Sequence, residues 1–167
     1  MLLIHKLLMM EIIMSNNIKA ITFWNFLKNN VVEIPIIQRD YAQGRLGKEH
    51  LRKVFLGNIK KALDTQTSLK LDFVYGATEN GNLNPLDGQQ RLTTLWLLHW
   101  YIALRSKKLN ELTNENGIDK EKVCDRLRKF TYETRISSRE FCKKLCDYTC
   151  FQNYESNNIV QFITNQT

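Results

Sequence analysis

The chain has little that breaks it: two prolines and seven glycines in 167 residues. No Ser/Gly/Pro-rich stretch, internal repeat or low-complexity run divides it, so no domain boundary can be placed inside it. A membrane span of about 20 apolar residues is also missing. The nearest approach, MLLIHKLLMMEIIM at the N-terminus, is interrupted by Lys6 and Glu11 and is followed by no small-residue cleavage site. It reads as an N-terminal extension over residues 1–17 or a frayed amphipathic helix, with one domain over 18–167 and no membrane partner. Four cysteines, Cys124, Cys142, Cys146 and Cys150, include no CxxC pair and have no histidine nearby. The spacing of Cys142 and Cys146 puts both on one helix face, but buried thiols in a reducing cytoplasm describe them better than a metal site.

Familiar catalytic patterns are missing too. There is no P-loop, no HExxH and no Cys/His nucleophile spacing, and His5, His50 and His99 form no HNH-like group. His99, in an apolar stretch, reads as a core residue.

What is present is an ordinary globular composition with 43% apolar and 25% charged residues. The net charge of +7 favours an anionic partner such as nucleic acid or nucleotide. The excess is local: between Gln38 and Lys61 stand Arg39, Arg45, Lys48, Arg52, Lys53, Lys60 and Lys61 against Asp40 and Glu49. A solvated helix face explains such a run as well as an anion-binding face does.

Along the chain, Thr22 is placed to cap a short aromatic helix that closes on Asn29 and Asn30. Val31 to Ile37 is β-branched, and its Pro35 marks an edge strand or a bend. The segment GKEHLRKVFLGNIKKALDT has helical apolar spacing through Leu51, Val54, Phe55, Ile59, Ala62 and Leu63, with its basic residues outward. Two strands flank Asn80-Gly81, a strong hairpin signal. The stretch from Gln89 to about Ser106 is apolar nearly all round and predicts a buried central helix. DKEKVCDRLRKF predicts an amphipathic helix using Val123, Leu127 and Phe130, and TYETR a short extended piece. Ser137 and Glu140 then form a capping-box signature, and NNIVQFITNQT predicts a last short helix.

The polar group Asp87-Gly88-Gln89-Gln90-Arg91 sits where a strand ends and the central helix begins. Backbone N–H groups and the helix dipole make such a junction receptive to anions. Gly88 would let a phosphate approach the backbone, Arg91 could bind it bidentately, and Gln89 and Gln90 could add amide hydrogen bonds. A capping box of Asp87 with Gln90 accounts for two of the five residues. It leaves Arg91 on the first turn, opposing the dipole by about 0.3–1 kcal/mol, which asks for a counter-anion from either an acidic side chain or a ligand. The residues alone leave cap and ligand equally open. Gln38, Arg39, Asp40 and Tyr41 form a second cluster at the end of a strand. If that strand neighbours the one ending at Leu86, Arg39 and Arg91 converge at one sheet edge as a phosphate pocket.

The segments IPIIQRDYAQGR, FVYG, PLDGQQRLTTLWLL and FTYETRISSREFC together resemble the N-terminal domain of GmrSD-type restriction endonucleases, over roughly Ile18 to Cys150. The resemblance implies an α+β, ParB/sulfiredoxin-like fold: a small mixed sheet packed with helices, followed by a helical C-terminal part. It further implies a nucleotide-binding domain, with or without NTP hydrolysis, that regulates a bacterial anti-phage restriction nuclease. By position it assigns nucleotide binding to Gln38, Arg39, Tyr41, Gly88, Gln89, Gln90 and Arg91, and catalysis to Asp87 and Arg91, with a nucleoside triphosphate and Mg2+ as ligands. Where many members carry a Trp shortly after the tyrosine, this chain has Ala42-Gln43-Gly44-Arg45. The HNH-type nuclease domain usual further along such proteins has no counterpart here, so a C-terminally truncated domain and a separate nuclease domain or partner subunit are expected. The alternatives are a non-enzymatic ParB-like module binding DNA through Arg45, Lys48, Arg52 and Lys53, or an inactive fragment.

Overall fold

A computed structural model describes residues 8–14, 17–35, 47, 49–79, 82–113, 121–133 and 136–151. In chain order the elements are β1 (Leu8–Met14), β2 (Asn17–Thr22), α1 (Phe23–Asn29), β3 (Val31–Ile34), α2 (Glu49–Asp64), β4 (Leu69–Glu79), β5 (Asn82–Asp87), α3 (Gln89–Arg105), α4 (Val123–Leu127), β6 (Phe130–Tyr132) and α5 (Ile136–Phe151). The strands form one mixed sheet in the order β2-β1-β4-β5-β3-β6. The fold class is α+β, as expected.

Leu8–Met14 is a strand, not an amphipathic helix. It pairs antiparallel with β2 and parallel with β4, so both its edges are used. Its sequence LMMEIIM is apolar except for Glu11 and does not alternate, which hides it from a periodicity reading. β3 is likewise internal, between β5 and β6, rather than an edge strand; Pro35 lies one residue beyond its end, where the missing N–H breaks no ladder bond.

The α1 cap is as predicted: Thr22 Oγ1 accepts the Asn25 N–H at 3.3 Å, and Asn30 Nδ2 closes the far end on the Phe26 carbonyl at 2.9 Å. β4 and β5 pair antiparallel, with Glu79 opposite Asn82, as the hairpin signal requires; Asn80 and Gly81 lie outside the described residues. Two boundaries differ from expectation. Phe130 belongs to β6, paired with Val32 of β3, and not to the helix before it. Helix α5 starts at Ile136, so Ser137 lies inside the first turn and cannot be its N-cap. The expected last short helix falls outside the described residues.

The core joins α1 (Phe23, Trp24, Phe26, Leu27), α3 (Leu92, Leu95, Trp96, Trp100, Leu104) and the strands β3 (Val32, Ile34), β5 (Leu83) and β6 (Phe130). Each large side chain fully buried this way contributes roughly 1.5–3 kcal/mol. Indole N–H groups inside this core need acceptors: Trp96 Nε1 donates to the Leu127 carbonyl at 2.8 Å and Trp100 Nε1 to the Leu145 carbonyl at 3.4 Å. Arg126 is fully buried. Its Nε donates to Glu121 Oε1 at 2.6 Å, its Nη2 to Thr113 Oγ1 at 3.3 Å, and its guanidinium lies 4.7 Å from the Trp24 ring centre. Glu121 also meets Lys129 Nζ at 3.0 Å, and Lys129 donates to the Lys28 carbonyl at the end of α1. Among the described residues no helix is long and apolar enough to cross a membrane.

Candidate functional site

Strands β5 and β6 both run parallel to β3, so the carboxyl ends of all three lie at one edge of the sheet. Helix α3 starts at that edge, straight after β5. The strand relation on which a convergence of Arg39 with Arg91 depends therefore holds. Gln38, Arg39 and Tyr41 themselves lie outside the described residues, as do Arg45 and Lys48.

The turn from β5 into α3 is built on glycine. Gly88 is the N-cap of α3 with φ 83° and ψ 2°, in the left-handed region. A Cβ there would stand 2.9 Å from Val74 Cγ2, so both the backbone angle and the space exclude a side chain. Gly76 on β4 serves a related purpose. The ladder shifts register between Tyr75 and Gly76, and a Cβ on Gly76 would lie 2.4 Å from the Asn84 carbonyl oxygen. The bulge lets β5 reach the turn with Asp87 opposite Tyr75.

Because Asp87 is held as the last residue of β5, it does not cap α3. The N-cap is Gly88, which makes no side-chain bond to the helix, so the Asp87–Gln90 capping box does not form. Asp87 instead faces Arg91: Nη2 to Oδ2 is 3.0 Å, with the Arg91 side chain 24% and the Asp87 side chain 65% exposed. The counter-anion that Arg91 demands is thus supplied by an acidic side chain within the motif. Gln89 turns inward, its Nε2 donating to the Pro85 carbonyl at 2.8 Å; it ties the helix back to β5. Thr93 and Thr94 donate to the carbonyls of Gln89 and Gln90, and Thr93 Oγ1 is 3.1 Å from the Tyr132 hydroxyl at the end of β6. Gln90 is half-buried on the same turn.

A cleft of about 360 Å³ opens beside Arg91. Leu51, Phe55 and Asn58 of α2 form one wall, and Leu69, Lys70 and Leu71 of β4 the other. Sequence reasoning did not find this cleft, because nothing in the pattern of LKLDF tells that this strand lies beside α2 and Arg91. Of the remaining basic candidates, Arg52 is half-buried and Lys53 exposed on α2. The inward face expected of that helix is only partly realised: Ile59 and Ala62 are buried, but Leu51 is 53% and Val54 48% exposed.

His99 stays out of this chemistry. It is buried against the rings of Phe23 and Trp24, its Nδ1 bonds the Leu95 carbonyl at 2.7 Å, and burial lowers its pKa to about 4. Cys124, Cys142 and Cys146 are buried, as expected, and burial pushes the Cys142 thiol up to about 12, leaving it unreactive. Cys150 has no described side chain. Among the described residues no group of three or more His, Cys, Asp or Glu could hold a metal ion.

No curated protein and no solved structure matched the chain. A family model described as the GmrSD restriction endonuclease, N-terminal domain, matches residues 22–166, which takes in every element from α1 onward and the whole of the Asp87–Arg91 turn. By that match, the chain belongs to the family of GmrSD restriction endonuclease N-terminal domains.

Proposed function

We propose that this domain binds a nucleoside triphosphate with Mg2+ at the start of α3 and acts as the nucleotide-dependent regulatory part of a bacterial cytoplasmic restriction protein that defends against phage DNA. The nuclease is then a further domain or a partner subunit. The observation that carries the reading is the Asp87–Arg91 pair at a helix start whose cap is a glycine. A pair with one partner this exposed is worth about 0–1 kcal/mol. A phosphate at the same place gains charge-assisted, bidentate hydrogen bonds from the guanidinium together with the field of the helix N-terminus. Exchanging the carboxylate for a phosphate is therefore favourable, and Asp87, once released, is a hard oxygen ligand suited to Mg2+ or its bound water. Gln38, Arg39 and Tyr41, which follow β3, are proposed to complete the phosphate site. If hydrolysis occurs, Asp87 and Arg91 are the proposed catalytic pair. Gln89, whose amide already holds the Pro85 carbonyl, supports the turn rather than the ligand.

Titration calorimetry with ATP, GTP and Mg2+ tests this directly. Arg91→Ala is expected to abolish binding and to leave the melting temperature within about 4 °C, since the Asp87 pair it removes is worth about 1 kcal/mol at most. Unchanged nucleotide affinity in that variant would sink the proposal. A DNA-binding reading remains for α2, whose Lys53, Lys60 and Lys61 are exposed. It requires affinity for duplex DNA to fall with salt by about 0.9 log unit per log unit for each phosphate neutralised. A flat salt response excludes it.

A further inference from the structure

Resting on that reading, we infer that the cleft between α2 and β4 receives the base and sugar of the nucleotide whose phosphates meet Arg91. A site for phosphate alone needs cations and N–H groups, and it has no use for apolar walls. This cleft has both kinds of surface in one cavity. Leu51 and Phe55 face Leu69 and Leu71 across it, while Arg91 supplies positive charge at one end. Its volume of about 360 Å³ is within the range of sites for small ligands.

The walls are also incompletely buried by the protein itself. Leu51 is half exposed, and Phe55 and Leu69 are only partly covered, packing against the core from its margin. Their apolar surface is available to a flat ring. Asn58 adds an amide with both a donor and an acceptor, which suits the polar edge of a base. Charge settles the ligand's direction: the phosphates lie at the Arg91 end, next to the start of α3, and the nucleoside extends between α2 and β4. Contacts to a base by α2 would then couple nucleotide occupancy to the helix that carries the exposed Lys53, Lys60 and Lys61.

The test compares two probes on the full chain: a nucleoside triphosphate with Mg2+ and inorganic tripolyphosphate with Mg2+. The nucleotide is expected to bind at least about tenfold tighter, and Phe55→Ala to remove that advantage without changing the tripolyphosphate affinity. Leu51→Ser, at a half-exposed position, gives the same result in smaller measure and serves where Phe55→Ala lowers stability. Equal affinity of the two probes for the wild-type chain, or nucleotide binding untouched by both substitutions, overturns the nucleoside cleft and leaves the phosphate site standing. Failure of both probes to bind overturns the phosphate site and the cleft together.

Discussion

At the scale of single residues, Gly88 carries two constraints that are separable in principle. The left-handed backbone penalises any L-residue by roughly 1–2 kcal/mol. The contact with Val74 adds to it, because a Cβ at 2.9 Å from Cγ2 forces a β-branched neighbour on a paired strand to move. Gly88→Ala is therefore expected to lower stability by about 2 kcal/mol or more in urea unfolding. In the double variant with Val74→Ala, the steric part is relieved and the backbone part is not, so the two costs should sum to less than additivity. Strict additivity would show that Val74 does not press on this turn. The same residues show the limit of reading a turn from its letters. The order Asp-Gly-Gln-Gln satisfies the capping-box pattern as written, and it fails because β5 pairs with β4 as far as Asp87, opposite Tyr75. Ladder geometry takes the carboxylate away from the cap and gives it to Arg91. The need for a counter-anion at Arg91 was legible in the sequence; its source within the motif was not.

At the scale of elements, α2 differs from α3. Both carry helical apolar spacing, yet α3 is enclosed along its length whereas α2 buries only Ile59 and Ala62. Helices held mainly by one end open locally with less free energy than the global transition. Hydrogen exchange should therefore be fastest in the first two turns of α2, slower around Ile59 to Leu63, and slowest in α3. Equal protection along α2 would contradict its exposure pattern. Local signals made α1, α2, the β4–β5 hairpin and α3 legible, since a Thr cap, a 3.6-residue period, an Asn-Gly pair and an unbroken apolar run each act over a few residues. β1 was not legible, and β6 was read as extended only from Thr131 onward with no pairing assigned, for a common reason. Each is a strand because of a distant partner, β4 for one and β3 for the other. The cleft was hidden on the same grounds, as its two walls meet only after α2 is laid beside β4.

At the scale of the whole molecule, the buried polar groups tie stability to pH. In the unfolded chain His99 titrates near 6.5, and in the fold burial lowers this to about 4. The unfolded state thus binds more protons between those values. The contribution is fully present above pH 6.5, is lost as pH falls toward 4, and amounts to about 3 kcal/mol in all. Unfolding midpoints of the wild-type chain and of His99→Gln should converge as the pH is lowered through this window, with the variant showing the flatter profile. Parallel profiles would mean that His99 is protonated as readily in the folded state as out of it. Arg126 is a different case: its guanidinium is met by Glu121, Thr113 and the face of Trp24. That network fastens the chain on both sides of residues 114–120 to α1 and α4, and no local motif announced it.

The sheet order also bears on how the chain is made. β3 is synthesised early, but the strands that flank it, β5 and β6, come much later, and β6 is the last strand among the described residues. Pairings between segments so far apart in sequence close large loops and form slowly. Until Phe130–Tyr132 has left the ribosome, one edge of Val31–Ile34 has no native partner. The strand that leads into the proposed phosphate site is thus the one that waits longest to be completed, and a nascent chain arrested before β6 carries that open edge into the crowded cell.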